Sequence, residues 1–121
     1  MNYKFILLEL ENFKKLEKNW DSFGSDPLKT DVLDVAKKVW LDIIDVYKPS
    51  VIPHVVPMSS GNVQFEWHSK KRFLELEFIN NEDIIYLKGL RDDDDFEENC
   101  IKNTEIDKIV ELIKEVYHES V

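Results

Sequence analysis

The sequence predicts one α+β domain over residues 1–121, with two N-terminal helices, an antiparallel meander of three to four strands and one C-terminal helix. Near both ends of the chain, apolar residues recur every three or four positions, which is the periodicity of amphipathic helices. Between them, apolar and polar residues alternate, as in strands with one buried face. The chain has 121 residues, 43% of them hydrophobic, which is enough for one core and too few for two.

The first helix is predicted over roughly residues 4–18. Its apolar stripe, spaced by three and four residues, consists of Ile6, Leu10, Phe13 and Leu16. Trp20 continues the stripe into a loop that Gly24 and Pro27 close. Trp20 either fills the core or, together with Phe23, presents an aromatic anchor to a partner.

The second helix has the clearest pattern in the chain. Its stripe consists of Val32, Val35, Ala36, Val39, Trp40, Ile43 and Tyr47. Asp26 before Pro27 is one candidate N-cap, and Thr30 is the alternative start. The helix is expected to end at Lys48, because a residue that precedes proline is pushed out of the helical region.

The middle of the chain is predicted to form the sheet. Pro53 and Pro57 limit residues 51–58 to an edge strand or an extended lead-in, because proline cannot donate to a central ladder. The strands expected after it are 62–68, 72–79 and 83–88.

The register of the first two of these strands follows from their alternation. Their apolar residues share one face only if the loop between the two strands has two or four residues. A two-residue turn favours Gly or Asn and would contain only Ser and Lys here, so a four-residue loop, Ser69 to Arg72, fits better. The expected pairs are Glu66–Glu75, Gln64–Glu77 and His68–Phe73. The polar face that results carries Gln64, Glu66, His68, Glu75 and Glu77.

The last helix is predicted to follow Thr104 as N-cap, with Asp107 at its third position. Its stripe consists of Ile106, Ile109, Val110, Ile113 and Tyr117. Before it, residues 82–99 carry a net charge of −6 out of −9 for the whole chain. The run Asp92, Asp93, Asp94 and Asp95 lacks the glycine and ligand spacing of a calcium loop, so we interpret it as a solvated loop or an acidic docking patch.

Composition excludes several classes of function. The 25 acidic residues against 16 basic ones disfavour direct binding to nucleic acid or to an anionic membrane, and Lys70-Lys71-Arg72 is interpreted as a solvated hairpin tip. The single Cys100 allows no internal disulfide and no sulfur-based metal site, and no apolar run could form a membrane span or a signal segment. We therefore expect a cytoplasmic protein.

The sequence contains no phosphate-binding or nucleophile motif, so we predict no enzyme and no cofactor. The best remaining cluster is the polar sheet face. Glu66 opposite Glu75 places like charges together, which favours a shared proton, a cation or a partner. With His68, or with His54 on the edge strand, these carboxylates could also ligate a metal, although a solvated face is the simplest interpretation.

Two segments carry a resemblance. The loop Trp20-Asp21-Ser22-Phe23-Gly24-Ser25-Asp26-Pro27 and the strand Gly61-Asn62-Val63-Gln64-Phe65-Glu66-Trp67 resemble a loose group of small, uncharacterised bacterial and phage proteins. That group shares a W-D-[G/S]-aromatic-G-[A/S]-x-P loop and a G-x-[I/V]-Q-[L/F]-E-W strand. The resemblance covers about residues 15–80, and Ser22 stands where the group has glycine.

This group has no established activity, so the resemblance implies a shared fold and no mechanism. It also implies a set of residues to test together, namely Trp20, Asp21, Gly24, Gln64, Glu66 and Trp67.

The function predicted from these features is a non-enzymatic, acidic protein-binding module. It would be an inhibitor, an antitoxin-like protein or a phage anti-defence protein that occludes a basic surface of its partner. Asp92–Asp95 would steer the encounter, and the polar face or the Trp20/Phe23 loop would make the specific contacts. The alternative is a small-molecule or metal-binding domain, or a minor enzyme, that uses Glu66, His68, Glu75 and Glu77. The sequence leaves homo-oligomerisation open.

Overall fold

The structure is a computed structural model that describes residues 2–117; the remainder of the predicted domain, residues 1 and 118–121, lies outside the described part. Its elements, in chain order, are α1 (Lys4–Phe13), α2 (Thr30–Val46), β1 (His54–Pro57), β2 (Val63–His68), β3 (Arg72–Phe78), β4 (Asp83–Leu90), β5 (Phe96–Lys102) and α3 (Ile106–Tyr117). The strands form one antiparallel sheet in the order β1-β2-β3-β4-β5. The predicted α+β class and the order of its elements are confirmed.

The sheet has five strands, one more than the upper limit of the prediction. Residues 51–58, predicted to form an edge strand or an extended lead-in, contain an edge strand, β1. The additional strand is β5, which begins at Phe96, directly after the acidic run. Sequence patterns miss it because Glu97-Glu98-Asn99 shows neither alternation nor strand-forming residues. Its pairing with β4 makes it a strand.

The helix boundaries differ from the prediction by a few residues at three ends. After Phe13, the chain continues in turns whose N–H groups bond three residues back, so α1 ends before residue 18. The second helix begins at Thr30, which was the alternative start, and Tyr47 is already extended. The last helix begins at Ile106, and the carbonyl of Glu105 accepts the N–H of Ile109, so the cap lies one residue beyond Thr104.

All three helices pack on one face of the sheet. The ring of Trp40 on α2 meets Phe65 on β2 edge-on at 6.2 Å between centroids, and Phe65 lies 4.8 Å from Phe78 on β3. The indole N–H of Trp40 donates to the carbonyl of Tyr3 (2.9 Å) and ties the start of the chain to α2. The indole N–H of Trp67 likewise donates to a carbonyl in the lead-in to β1, that of Val51 (3.2 Å).

The predicted register is also confirmed. Phe65 lies opposite Leu76, and the pairs Glu66–Glu75, Gln64–Glu77 and His68–Phe73 occur as expected. The β2–β3 turn is closed by the N–H of Ser69, which donates to the carbonyl of Arg72 (2.9 Å). Alternation was sufficient here because a slip by one residue would place every apolar side chain on the wrong face.

The helical layer does not extend over the whole sheet. Helix α1 packs against β1, and α2 and α3 pack against β2 and β3. Ile84 and Tyr86 of β4 are still buried in the core, and Lys88 of β4 pairs with Glu115 of α3, whereas β5 forms the far edge of the sheet. Six of the seven residues of β5 are therefore exposed, and only Ile101 is buried. Cys100 is exposed on this strand. Over residues 2–117, no helix combines the length and the apolar character that a membrane span requires.

Candidate functional site

The sheet face opposite the helices carries the predicted polar cluster. We call it the open face, because each helix between residues 2 and 117 packs on the other side. Strand pairing places the following side chains on it: His54, Val56, Gln64, Glu66, His68, Phe73, Glu75, Glu77, Asp83, Ile85, Leu87, Phe96, Glu98, Cys100 and Lys102. The structure thus brings Gln64, Glu66, His68, Glu75 and Glu77 together, as the alternation predicts.

The central pair of this face is Glu66 and Glu75, which lie directly opposite each other on β2 and β3. Glu66 accepts a hydrogen bond from the Nε2 of Gln64 (2.6 Å), and the Nε2 of His68 lies 3.5 Å from its other oxygen. Glu75 receives no side-chain hydrogen bond from any described residue. Burial raises the pKa of the Glu75 carboxyl above its ordinary value, and the charge of Glu66 raises it further.

The third carboxylate, Glu77, is held differently. It accepts a hydrogen bond from the Nδ2 of Asn62 (2.9 Å), and the Oδ1 of Asn62 accepts one from the ammonium group of Lys29 (3.0 Å). Through Asn62, a cation that precedes α2 therefore supports Glu77. Glu75 is left as the partly buried carboxylate of this cluster with no donor in the described residues.

The two histidines do not complete a metal site. His54 on β1 lies opposite Glu66, as expected if the edge strand returns alongside, and His68 lies near Glu66 on the other side. Nevertheless, between residues 2 and 117 no group of three or more potential ligands is close enough to hold a metal ion. The geometry therefore gives the metal-binding alternative no coordination sphere in the described residues.

The open face also contains apolar side chains that the sequence did not assign to the site. Leu87 lies opposite Glu75, Ile85 lies opposite Glu77, and both are half-buried, as is Phe73. A signal for two of them exists in the sequence, because Ile84-Ile85-Tyr86-Leu87 is apolar on both faces of β4. Apolar side chains grouped on an uncovered sheet face are a feature of interaction surfaces.

The acidic run forms the turn between β4 and β5, and we call residues Asp92–Asp95 the acidic turn. All four side chains are exposed. The neighbouring Arg91 joins it to the β2–β3 turn, because its N–H donates to the carbonyl of Lys71 (2.8 Å) and its guanidinium to that of Ser69 (3.1 Å). The acidic turn therefore lies at one end of the sheet, beside the lysines of the neighbouring turn.

A groove of about 500 Å³ lies between α3 and this end of the β4–β5 hairpin. Leu112 and Val116 of α3 form one wall, and Leu90 lies at the other. Leu90 is 47% exposed and Phe96 is 62% exposed. Both ends of the acidic turn are thus flanked by accessible apolar side chains.

The Trp20/Phe23 loop is tightly bonded internally. The indole N–H of Trp20 donates to the carbonyl of Asp26 (2.7 Å), and its ring packs against the core. The carboxylate of Asp21 accepts the hydroxyl of Ser25 and the N–H of Phe23 (2.9 Å). These bonds, that from Ser25 first, lower the pKa of Asp21 below its ordinary value.

In this loop, the side chains of Trp20 and Phe23 lie in different environments, although the sequence groups them as one candidate aromatic anchor. Trp20 packs, whereas the side chain of Phe23 is 90% exposed. The N–H of Asp26 bonds to the carbonyl of Ser59 (3.0 Å), so the loop lies at the β1–β2 turn. In an antiparallel meander, that turn and the acidic turn lie at opposite ends of the sheet, so Phe23 is not part of the same patch as the acidic turn.

No protein-family model, curated protein or solved structure matches this chain. The resemblance to small bacterial and phage proteins therefore stays a prediction.

Proposed function

We propose that this protein is a non-enzymatic module that binds a protein partner with a basic surface through its open face. The observation that carries this proposal is the uncovered face itself, on which the Glu66–Glu75 pair lies beside half-buried apolar side chains such as Leu87. If the open face met only water, like charges directly opposite each other would lower the stability of the sheet without any compensating contact. A partner that supplies Lys or Arg would relieve this repulsion and cover the apolar groups.

The charge distribution supports the same kind of partner. Glu75 has no donor among the described residues and sits next to another carboxylate, so it gains most from an added cation. The exposed acidic turn at one end of the sheet would attract a basic surface and speed the encounter. Within this proposal, the protein acts in a cytoplasm as an inhibitor, an antitoxin-like protein or a phage anti-defence protein that occludes its partner.

The test is a comparison of two charge reversals. Glu75→Lys changes the open face, and Asp45→Lys makes the same change of net charge at an exposed position of α2. The tagged protein and each variant are used to capture partners from a bacterial lysate at about 50 mM and about 500 mM salt. We expect a partner that wild type and Asp45→Lys retain at low salt, that high salt releases, and that Glu75→Lys loses.

Two results would contradict the proposal. The first is capture that is equally strong with Glu75→Lys and with Asp45→Lys, which would place the contact elsewhere. The second is a thermal shift with divalent metals or nucleotides, or a turnover, that disappears in His68→Ala. That result would favour the small-molecule, metal-binding or enzymatic alternative, which uses Glu66, His68, Glu75 and Glu77.

A further inference from the structure

The two edges of the sheet are protected to different degrees. The first edge strand, β1, has four residues, ends at Pro57, follows Pro53 and is contacted by α1. The other edge strand, β5, has seven residues, contains no proline and lies beyond the helices. Long, uncovered edges expose backbone groups that another chain can pair with.

The hydrogen bonds of β5 show which of its backbone groups point outward. The N–H of Cys100 donates to the Oδ1 of Asn99 (2.8 Å), and the N–H of Lys102 donates to the Oε2 of Glu105 (2.8 Å). Neither N–H is therefore used in the ladder with β4. Because backbone direction alternates along a strand and the register is regular back to Phe96, the N–H groups of Glu98 and Phe96 also point outward.

Along the outward edge of β5, side chains therefore accept hydrogen bonds from the N–H groups of only one half of the strand. Side chains occupy the N–H groups of Cys100 and Lys102, whereas no described side chain accepts from those of Phe96 and Glu98. Six of the seven β5 residues, including these two, are exposed to solvent. The half of the strand next to the acidic turn is the half that can accept a further strand.

We propose that Phe96–Glu98 accepts an extended segment of the partner as a sixth strand, and that this segment carries Lys or Arg at alternate positions. This inference rests on the proposed binding function and specifies its mode. An added strand would lie about 4.8 Å from β5. On the open face it would extend the row Glu66–Glu75–Leu87–Glu98, with a partner side chain beside Glu98.

Charge selects the occupant. An added strand meets Glu98 on the open face and Glu97 on the helix side, and the acidic turn lies at its end. Because alternate residues of a strand share one face, the basic residues of the segment lie beside Glu98 on the open face, and their charge also complements the acidic turn. A second copy of this chain is disfavoured, because each copy carries a net charge of −9 and would bring a second acidic turn to the same edge.

The experiment uses a short peptide in which Arg alternates with Val, titrated into the ¹⁵N-labelled protein. We expect saturable shifts of the Phe96 and Glu98 amide signals and slower hydrogen exchange of the Glu98 amide. Glu98→Gln removes one charge and should weaken binding by roughly two- to five-fold. Glu98→Pro removes the outward N–H without removing a bond to β4, and it should abolish binding.

A second measurement covers the case in which Glu98→Pro does not fold. The same peptide, N-methylated at every residue, has no N–H to donate along either edge, and we expect it not to bind the wild-type protein. Equal binding of the methylated peptide, equal binding by Glu98→Pro and Glu98→Gln, or no binding of the parent peptide would each overturn the inference. So would a dimer that Glu98→Pro abolishes in light scattering, because the occupant would then be a second copy.

The failure of this mode can be told apart from the failure of the proposed function. If the peptide shifts only amides of the open face, such as those of Glu66 and Glu75, the edge mode is overturned and binding by the open face stands. If partner capture is insensitive to Glu75→Lys, the proposed function itself fails, whatever the peptide does.

Discussion

Replacing Gly61 by alanine tests how the helical layer is joined to the sheet. Gly61 has φ of +90°, and a Cβ there would lie 2.9 Å from the carbonyl oxygen of Pro27 and 3.3 Å from the Cγ of Lys29. The Gly61 carbonyl also accepts the N–H of Lys29 (2.9 Å), directly before α2. The methyl group would therefore push against backbone at the contact that connects the β1–β2 turn to α2.

Gly24 provides a matched control. It has φ of +81°, but a Cβ added there would meet no atom within 4 Å. An alanine in the left-handed region costs about 1–2 kcal/mol, which both variants share. Overpacking against atoms that cannot move away adds about 1–3 kcal/mol, which applies to Gly61 alone. We expect a loss of about 2–5 kcal/mol for Gly61→Ala and about 1–2 kcal/mol for Gly24→Ala.

The assay is urea unfolding followed by the fluorescence of the three tryptophans. The quantity to compare is the free energy of unfolding of each variant relative to wild type. If the two variants lose the same stability to within about 0.5 kcal/mol, the close approach of Gly61 to Pro27 does not constrain the fold, and the reasoning is wrong.

Three further outcomes are expected from the structure. Glu75→Gln should raise the stability at pH 7 by about 0.2–1 kcal/mol. The folded state raises the pKa of Glu75, so the contribution of this group to stability falls as pH rises through that pKa. The free energy of unfolding, measured by urea at a series of pH values, should show this decrease in wild type, and the decrease should be missing in Glu75→Gln. Phe23→Ser should leave the thermal midpoint of unfolding unchanged, because Phe23 is 90% exposed. Trp20→Phe should lower the midpoint, because the Trp20 indole donates to the Asp26 carbonyl. The reverse order of the two variants would refute this account of the loop. Tyr86→Phe should cost about 0.5–1.5 kcal/mol of stability in urea unfolding, because the Tyr86 hydroxyl donates to Glu97 (2.7 Å). Burial, together with this contact, raises the pKa of Tyr86 to about 12. An unchanged stability would show that water replaces this bond.

The sequence predicts the sheet register well and the last strand not at all, for a physical reason. Phe65 and Leu76 alternate with charged neighbours, so a register slip carries a large burial penalty and the pattern is unambiguous. Glu97 and Glu98 carry no such pattern, because β5 buries almost nothing and exists through its hydrogen bonds to β4. Strands of that kind are specified by tertiary pairing and leave little trace in composition.

The candidate site divides in the same way. The opposition of Glu66 and Glu75 follows from register alone and was predictable. The outward direction of Phe23 was not, because it depends on positive φ angles at Asn19 and Ser22, which are not glycines. Caps on the β5 edge from Asn99 and from residues after the strand likewise depend on side-chain positions that a linear pattern does not encode.

The indole hydrogen bonds described above have a consequence for how the chain could be observed. Trp20, Trp40 and Trp67 each donate to a carbonyl outside regular secondary structure, namely those of Asp26, Tyr3 and Val51, which lie in three different segments. Each indole therefore fastens one irregular stretch of backbone to the interior at a single point. Single-tryptophan versions of the protein would report the detachment of each stretch separately, so local release and global melting could be distinguished by emission alone.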